Sequence, residues 1–173
     1  MSLLDLKDNK PSKVKAFPAY IINVILLIFS MRSLDFLAIE NVHSIFFLTP
    51  LFYWIIHKPA IMPLWFIFLG GLAIDFAIDG LLGLHAFLFI ALTMVLFKIR
   101  RIILSQPALY HYIIFALIVV GFEIIRWCMV SLLTWELWSL WPSLLAIVIN
   151  IVAYGPILLV LKGLHRVMSG YGR

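Results

Sequence analysis

Acidic and imidazole side chains occur close together in one apolar stretch of the sequence, residues 69–85. Asp75 and Asp79 are four residues apart, about one helical turn, and His85 closes the stretch. Carboxylate and imidazole groups are metal ligands, but this spacing matches no strong ligand motif, so we predict no metal here. A carboxylate in apolar surroundings needs a polar partner. We therefore expect Asp75 either to organise neighbouring helices through hydrogen bonds or to have a partner-binding or conformational role.

Small residues share this helix. Gly71 lies on the stripe of Asp75 and Asp79, and small side chains at such spacing let two helices approach closely, so we predict that it serves packing. Asp79 precedes Gly80, a residue that favours the left-handed conformation of a helix end. We expect the helix to stop there, with the Asp79 carboxylate exposed.

A second pair of charges, Glu123 and Arg126, lies in a long apolar run with a spacing of three residues. Groups so spaced share one helix face and can form an intrahelical ion pair, which is our first interpretation. The alternative is that this face docks a partner protein, because charges in hydrocarbon must face the bundle interior or another helix. Asn150 and Tyr154 are predicted to form hydrogen bonds between helices.

The sequence contains no motif typical of an enzyme. It has no phosphate-binding glycine loop with lysine, no nucleophile elbow, no metalloprotease histidine pair and no supported pair of catalytic carboxylates. The one cysteine, Cys128, cannot form a disulfide or a thiolate cluster within a single chain. We predict a protein without catalytic activity, cofactor or metal.

The composition places these residues in a membrane. Of 173 residues, 65% are hydrophobic and 12% charged, whereas a soluble domain has about 25% charged residues. The mean hydropathy is +1.13, so most of the surface must face lipid. The basic N-terminal segment precedes an apolar run without a small-residue cleavage site, so we expect no removable signal peptide.

We predict an all-α integral membrane protein, a compact bundle of six transmembrane helices. A span needs about 20 mainly apolar residues, and the second candidate is short and contains Pro50, so by length alone it could be re-entrant. A basic segment, residues 1–15, precedes the bundle, residues 16–163, and a short basic tail, residues 164–173, follows it. The predicted spans are residues 16–36, 44–56, 61–78, 83–99, 109–134 and 141–161.

The basic residues favour six spans with both termini in the cytoplasm, as the positive-inside rule requires. The residues that this topology places inside are Lys7, Lys10, Lys13, Lys15, Lys58, Lys98, Arg100, Arg101, Lys162, Arg166 and Arg173. Together they are eleven of the thirteen Lys and Arg residues, which indicates topology and membrane contact rather than nucleic-acid binding. Trp135, Trp138 and Trp141 fall in an outer loop, where indole rings prefer the headgroup level, so we expect an interfacial anchor.

The residues Gly71, Asp75 and Gly83, continued by Leu84-His85-Ala86, resemble a motif of the rod shape-determining protein MreD family. The resemblance covers about residues 45–101 and includes Tyr53-Trp54, Pro59 and the basic Lys98 to Arg101 segment. In many members a proline followed by Asp or Asn enters the second span, whereas His43-Ser44 stands at that place here.

This resemblance implies a multi-pass protein of the bacterial inner membrane, similar in fold to the substrate-binding components of vitamin (ECF) transporters. It implies a non-enzymatic scaffold of the cell-elongation complex that binds the bitopic protein MreC. Through MreC the scaffold would couple MreB filaments to the RodA glycosyltransferase and its penicillin-binding transpeptidase. The alternative from the residues is a small-molecule binding or transport subunit, since the same bundle could hold a polar pocket near Asp79 and His85.

Overall fold

The computed structural model describes residues 13–31, 45–78, 81–135 and 138–170, and they form an all-α fold. A 3₁₀ turn, Pro59–Ile61, joins the second and third helices. The α-helices are α1 (Lys13–Ser30), α2 (Leu48–His57), α3 (Leu64–Ala77), α4 (Leu84–Leu104), α5 (Ala108–Thr134) and α6 (Trp141–Gly170). The prediction of an all-α chain is confirmed for these residues.

The short helix α2 is the centre of the bundle. Nine of its ten residues are buried, as expected of a helix that is apolar on every side. The other five helices surround it in a ring, in which α1 contacts α3, α3 contacts α4, α4 contacts α5, α5 contacts α6, and α6 contacts α1. The core therefore forms around α2, with Trp54 and Phe52 among its largest fully buried side chains.

Contacts between helices show that α2 runs antiparallel to α1 and α5. Ser30, at the end of α1, binds the start of α2, whereas Asn23 in the middle of α1 binds Trp54 near the end of α2. Phe52 packs on Phe115 of α5, while His57 lies beside His111 nearer the start of α5. α5 and α6 are likewise antiparallel, because Arg126 binds Ser143 and Phe115 stacks on Tyr154.

Three helices, α2, α4 and α6, differ most clearly from their predicted spans; α4 continues to Leu104, beyond the predicted end at residue 99. The second span was predicted as residues 44–56, but α2 has ten residues and a rise of about 15 Å, half the thickness of a hydrocarbon core. α6 continues to Gly170, beyond the predicted end at residue 161. The apolar run stops at that point but the helix does not, since Lys, Leu, Arg and Met are good helix formers. Residues 32–36 and 44 of the predicted spans lie outside the described residues.

The outer faces of the ring are compatible with a helical membrane protein. Two helices, over Ala108–Thr134 and Trp141–Met168, are long and apolar enough to cross a membrane. Large apolar side chains, including Leu109, Leu117 and Leu159, are exposed on these helices. Such a surface is stable in lipid, where exposure of apolar side chains has no cost.

Candidate functional site

The side chain of Asp75 caps the beginning of helix α4. Its Oδ2 atom accepts a hydrogen bond from the backbone N–H of Gly83 at 2.9 Å, and Oδ1 accepts one from the N–H of His85 at 3.1 Å. The Nδ1 atom of His85 lies 2.7 Å from the same Oδ1. The N-terminal N–H groups of a helix have no partner within the helix, and a carboxylate there also complements the helix dipole. Asp75 therefore has the geometry of the helix organiser.

Two glycines make this contact between α3 and α4 possible. A Cβ atom on Gly71 would lie 2.4 Å from Cα and 2.5 Å from N of Ala86, so the backbones of the two helices touch. Gly83 has φ of +90°, which side chains of L-residues rarely permit, and it turns the chain into α4. The prediction that Gly71 serves packing is confirmed. Gly71, Asp75, Gly83 and His85 thus belong to one contact unit, which we call the α3–α4 latch.

The imidazole of His85 extends the latch toward α5. Because a carboxylate only accepts hydrogen bonds, Nδ1 of His85 donates to Asp75, and Nε2 is the second nitrogen of the ring. This Nε2 atom is buried, with no hydrogen-bonding partner among the described residues. The ring lies near Phe89 and Phe122, with centroids 6.2 and 6.3 Å away, and it acts electrostatically on Glu123.

Glu123 and Arg126 form the predicted intrahelical ion pair on α5. Both Nε and Nη2 of Arg126 donate to Oε2 of Glu123, at 2.9 and 2.7 Å, and Nη2 also lies 3.2 Å from the hydroxyl oxygen of Ser143 on α6. The Glu123 side chain is 0% exposed and that of Arg126 is 21% exposed, so the pair faces the bundle and not its outer surface. The ion pair therefore connects α5 to α6. The docking interpretation of this face stays a prediction.

The other polar residues that the sequence indicated differ in how far the structure agrees with their predicted roles. Asn150 donates to the carbonyl of Ala146 in its own helix at 2.8 Å, so the expected hydrogen bond between helices is wrong for its amide group. Tyr154 packs through its ring, stacked on Phe115. Asp79 lies outside the described residues. The part of the chain that the structure describes has no group of three or more His, Cys, Asp or Glu residues placed to hold a metal ion.

At the opposite end of the bundle, three histidines from three helices lie close together, and sequence inspection missed them. The ring centroid of His57 on α2 is 5.8 Å from that of His165 on α6 and 6.1 Å from that of His111 on α5. The Tyr53 hydroxyl is 2.9 Å from Nδ1 of His165. We call this group the histidine cluster. More than fifty residues separate each histidine from the next, so no local spacing could have indicated it.

Asp75→Asn tests the hydrogen bonds of the latch. The amide keeps one acceptor oxygen but loses the charge that strengthens the bonds to Gly83 and His85. We expect a stability loss of about 2 kcal/mol, measured by reversible unfolding of the purified protein in mixed micelles. Thr93→Ala is a matched control, because its buried hydroxyl only bonds the Phe89 carbonyl of its own helix. A loss no greater than the control's would contradict the capping role.

The three predicted anchor residues lie around the α5–α6 connection. Trp135 is 90% exposed and takes the left-handed conformation at the end of α5. The indole N–H of Trp138 donates to the hydroxyl of Thr134 at 3.0 Å, and Trp141 begins α6 with its ring exposed. This placement suits an interfacial anchor, which stays a prediction.

Comparisons of the chain with protein-family models, with curated proteins and with solved structures find no match.

Proposed function

We propose that the bundle crosses the bacterial inner membrane six times with both termini in the cytoplasm. The antiparallel contacts of α2 with α1 and α5, and of α5 with α6, support an alternating path. Arg100 and Lys162 lie beside His57, at the end of the bundle opposite the latch, as the positive-inside rule requires of a cytoplasmic end. In this topology α2 is a short central helix, enclosed by the other five, and the latch lies toward the outer surface.

We further propose that this chain is a non-enzymatic scaffold of the cell-elongation complex, of the MreD type. The observation that carries the proposal is that Gly71, Asp75 and Gly83, which carry the resemblance, meet in one contact unit. Their spacing thus has a physical reason, since all three positions are needed to join α3 to α4. A similarity in fold to the substrate-binding components of vitamin transporters belongs to the same proposal.

A scaffold of this kind binds its partners through its outer faces. MreC, a bitopic protein, would contact the bundle through its single transmembrane helix. The buried charges of the latch and of the Glu123–Arg126 pair would then act indirectly, by fixing the helix positions that form the contact surface. MreC would in turn link the bundle to MreB, RodA and the transpeptidase.

Depletion of the protein in its native bacterium tests the proposed function. We expect rods to become round or swollen, with dispersed incorporation of a fluorescent cell-wall label, and a plasmid copy of the gene to restore rod shape. The measurement is cell width together with the distribution of the label. Unchanged shape after verified depletion, with loss of uptake of a defined solute, would instead favour a small-molecule binding or transport subunit.

A further inference from the structure

In two rings of the histidine cluster, one nitrogen forms a hydrogen bond within its own helix and the other nitrogen does not. Nδ1 of His57 donates to the carbonyl of Tyr53 at 2.9 Å, and Nδ1 of His111 donates to the carbonyl of Pro107 at 3.2 Å. The ring of Tyr53 stacks on His57 at 4.4 Å and holds it in place. The Nε2 atoms of His57 and His111 are therefore the nitrogens left for another partner, and they become donors when the rings are protonated.

Positive charges surround these rings. Arg100 of α4 donates through Nε to the carbonyl of Ile56 at 2.6 Å, which places its guanidinium beside the end of α2. Arg100 and Lys162 act electrostatically on His57, and Lys58 acts on His165. The two acidic residues of the described chain, Asp75 and Glu123, lie at the opposite end. Among the described residues, this end of the bundle thus combines imidazoles with cations and has no carboxylate.

Helix dipoles explain only part of this arrangement. Cations stabilise helix C-termini, and α2 ends here, which accounts for Arg100, whose Nε donates to the Ile56 carbonyl in the last turn of α2. His57 itself lies in the last turn of α2, but the dipoles do not account for His111 and His165, which are half-buried among these cations. Burial and, to a smaller extent, the positive charges of His111, Lys162 and Arg100 lower the pKa of His57. Burial and the charges of Lys58 and His57 lower the pKa of His165. An anion would relieve this crowding of like charges.

We propose that His57, His111 and His165, with Arg100 and Lys162, form a binding site for a phosphate group, carried by the headgroup of an anionic lipid. Imidazole, guanidinium and ammonium groups are phosphate donors, and basic pockets between helices at the cytoplasmic side bind acidic headgroups. The exposed apolar faces of α4 and α6, with Ile102 and Leu159, lie next to these cations along the helices and can receive acyl chains. The proposal that a lipid carries the phosphate rests on the proposed membrane insertion. The proposal that these side chains bind a phosphate group does not.

The test measures thermal unfolding of the full-length protein in neutral detergent with added phosphatidylglycerol, phosphatidylcholine or inorganic phosphate. We expect phosphatidylglycerol to stabilise the protein more than phosphatidylcholine. Lys162→Gln, at an exposed position that should not affect folding, should weaken the apparent affinity about fivefold. The control is Lys98→Gln, which removes an equal charge from an exposed position of α4 outside the cluster and should change the affinity less than about twofold.

A pH series separates the site from general charge attraction. The folded protein without ligand keeps His57 and His165 neutral near pH 7, because their pKa values are lowered, and a bound anion favours the protonated rings. Affinity should therefore rise as the pH falls from about 8 to about 5.5, and the rise should be smaller in a His57→Gln/His165→Gln variant, which keeps only His111 of the three rings.

The outcomes distinguish the sources of the phosphate. Stabilisation by phosphatidylglycerol that inorganic phosphate does not compete away supports a lipid site, whereas full competition supports the phosphate site and overturns the lipid source. Equal effects of the two lipids without an effect of phosphate overturn the proposal. So does an equal loss of affinity in Lys98→Gln and Lys162→Gln. If depletion did not make the cells round, the scaffold proposal would be wrong, but these binding measurements would be unaffected. The scaffold proposal and the phosphate-site proposal can therefore be overturned independently.

Discussion

Gly71→Ala should separate α3 from α4 and destabilise the protein by about 3 kcal/mol, the upper end of the usual range for overpacking. The added methyl group would lie 2.4 Å from Cα and 2.5 Å from N of Ala86. These are backbone atoms of a helix, which cannot move aside as the end of a flexible side chain can. The helices must therefore shift apart, and the bonds from Gly83 and His85 to Asp75 lengthen with them. Unfolding in mixed micelles, followed by circular dichroism, measures the loss.

The neighbouring glycine provides a matched control for this prediction. A Cβ atom on Gly70 would have its nearest contacts at 3.4 Å, to the side chains of Leu27 and Phe47, so Gly70→Ala should cost little. Gly121→Ala places its methyl group in open space within α5 and should be neutral or stabilising, because alanine has the higher helix propensity. If Gly71→Ala matched these two variants in stability, the close approach of α3 and α4 would be wrong.

Local features of the site were predictable from the sequence because they depend on spacing within one helix. The three-residue separation of Glu123 and Arg126 is sufficient to place them on one face, and the structure shows the pair. Gly71 was predictable as a packing residue for the same reason. The hydrogen bond between Asp75 and His85 was not predicted; the sequence indicated only that these groups can bind metals, at a spacing that matches no strong ligand motif. Its real form depends on the turn through Gly83, whose positive φ brings the beginning of α4 back to the carboxylate.

Features that depend on contacts between distant segments were not predictable. The sequence shows α2 as a short apolar run, and only the ring of surrounding helices makes it the centre of the fold. The histidine cluster likewise requires that α2, α5 and α6 bring His57, His111 and His165 to one end. For Asn150 the prediction was wrong because a carbonyl of its own helix, that of Ala146, lies four residues back and within reach of its amide.

Arg126→Met should destabilise the protein by about 3–5 kcal/mol, because it leaves the fully buried carboxylate of Glu123 without its cation. Two hydrogen bonds from the guanidinium to Oε2 disappear, as does the link to Ser143 on α6. The second oxygen of Glu123, Oε1, has no hydrogen-bonding partner among the described residues, so the carboxylate has no other protein group there to compensate. Methionine keeps an unbranched apolar stem and a similar helix propensity, so the loss of the charged guanidinium group dominates the effect.

The double variant Glu123→Gln/Arg126→Met separates the charge from the packing. Replacing both partners removes the uncompensated buried charge, and exchanging a buried ion pair for uncharged groups is often neutral. We expect the double variant to recover more than half of the stability lost in Arg126→Met. Glu123→Gln alone should lose less than Arg126→Met, because its amide oxygen still accepts a hydrogen bond from the partly exposed Arg126. Equal stabilities of the double variant and Arg126→Met would show that Arg126 acts through packing against α6. Recovery would show instead that Arg126 is needed because the buried carboxylate of Glu123 is not tolerated alone in the apolar interior.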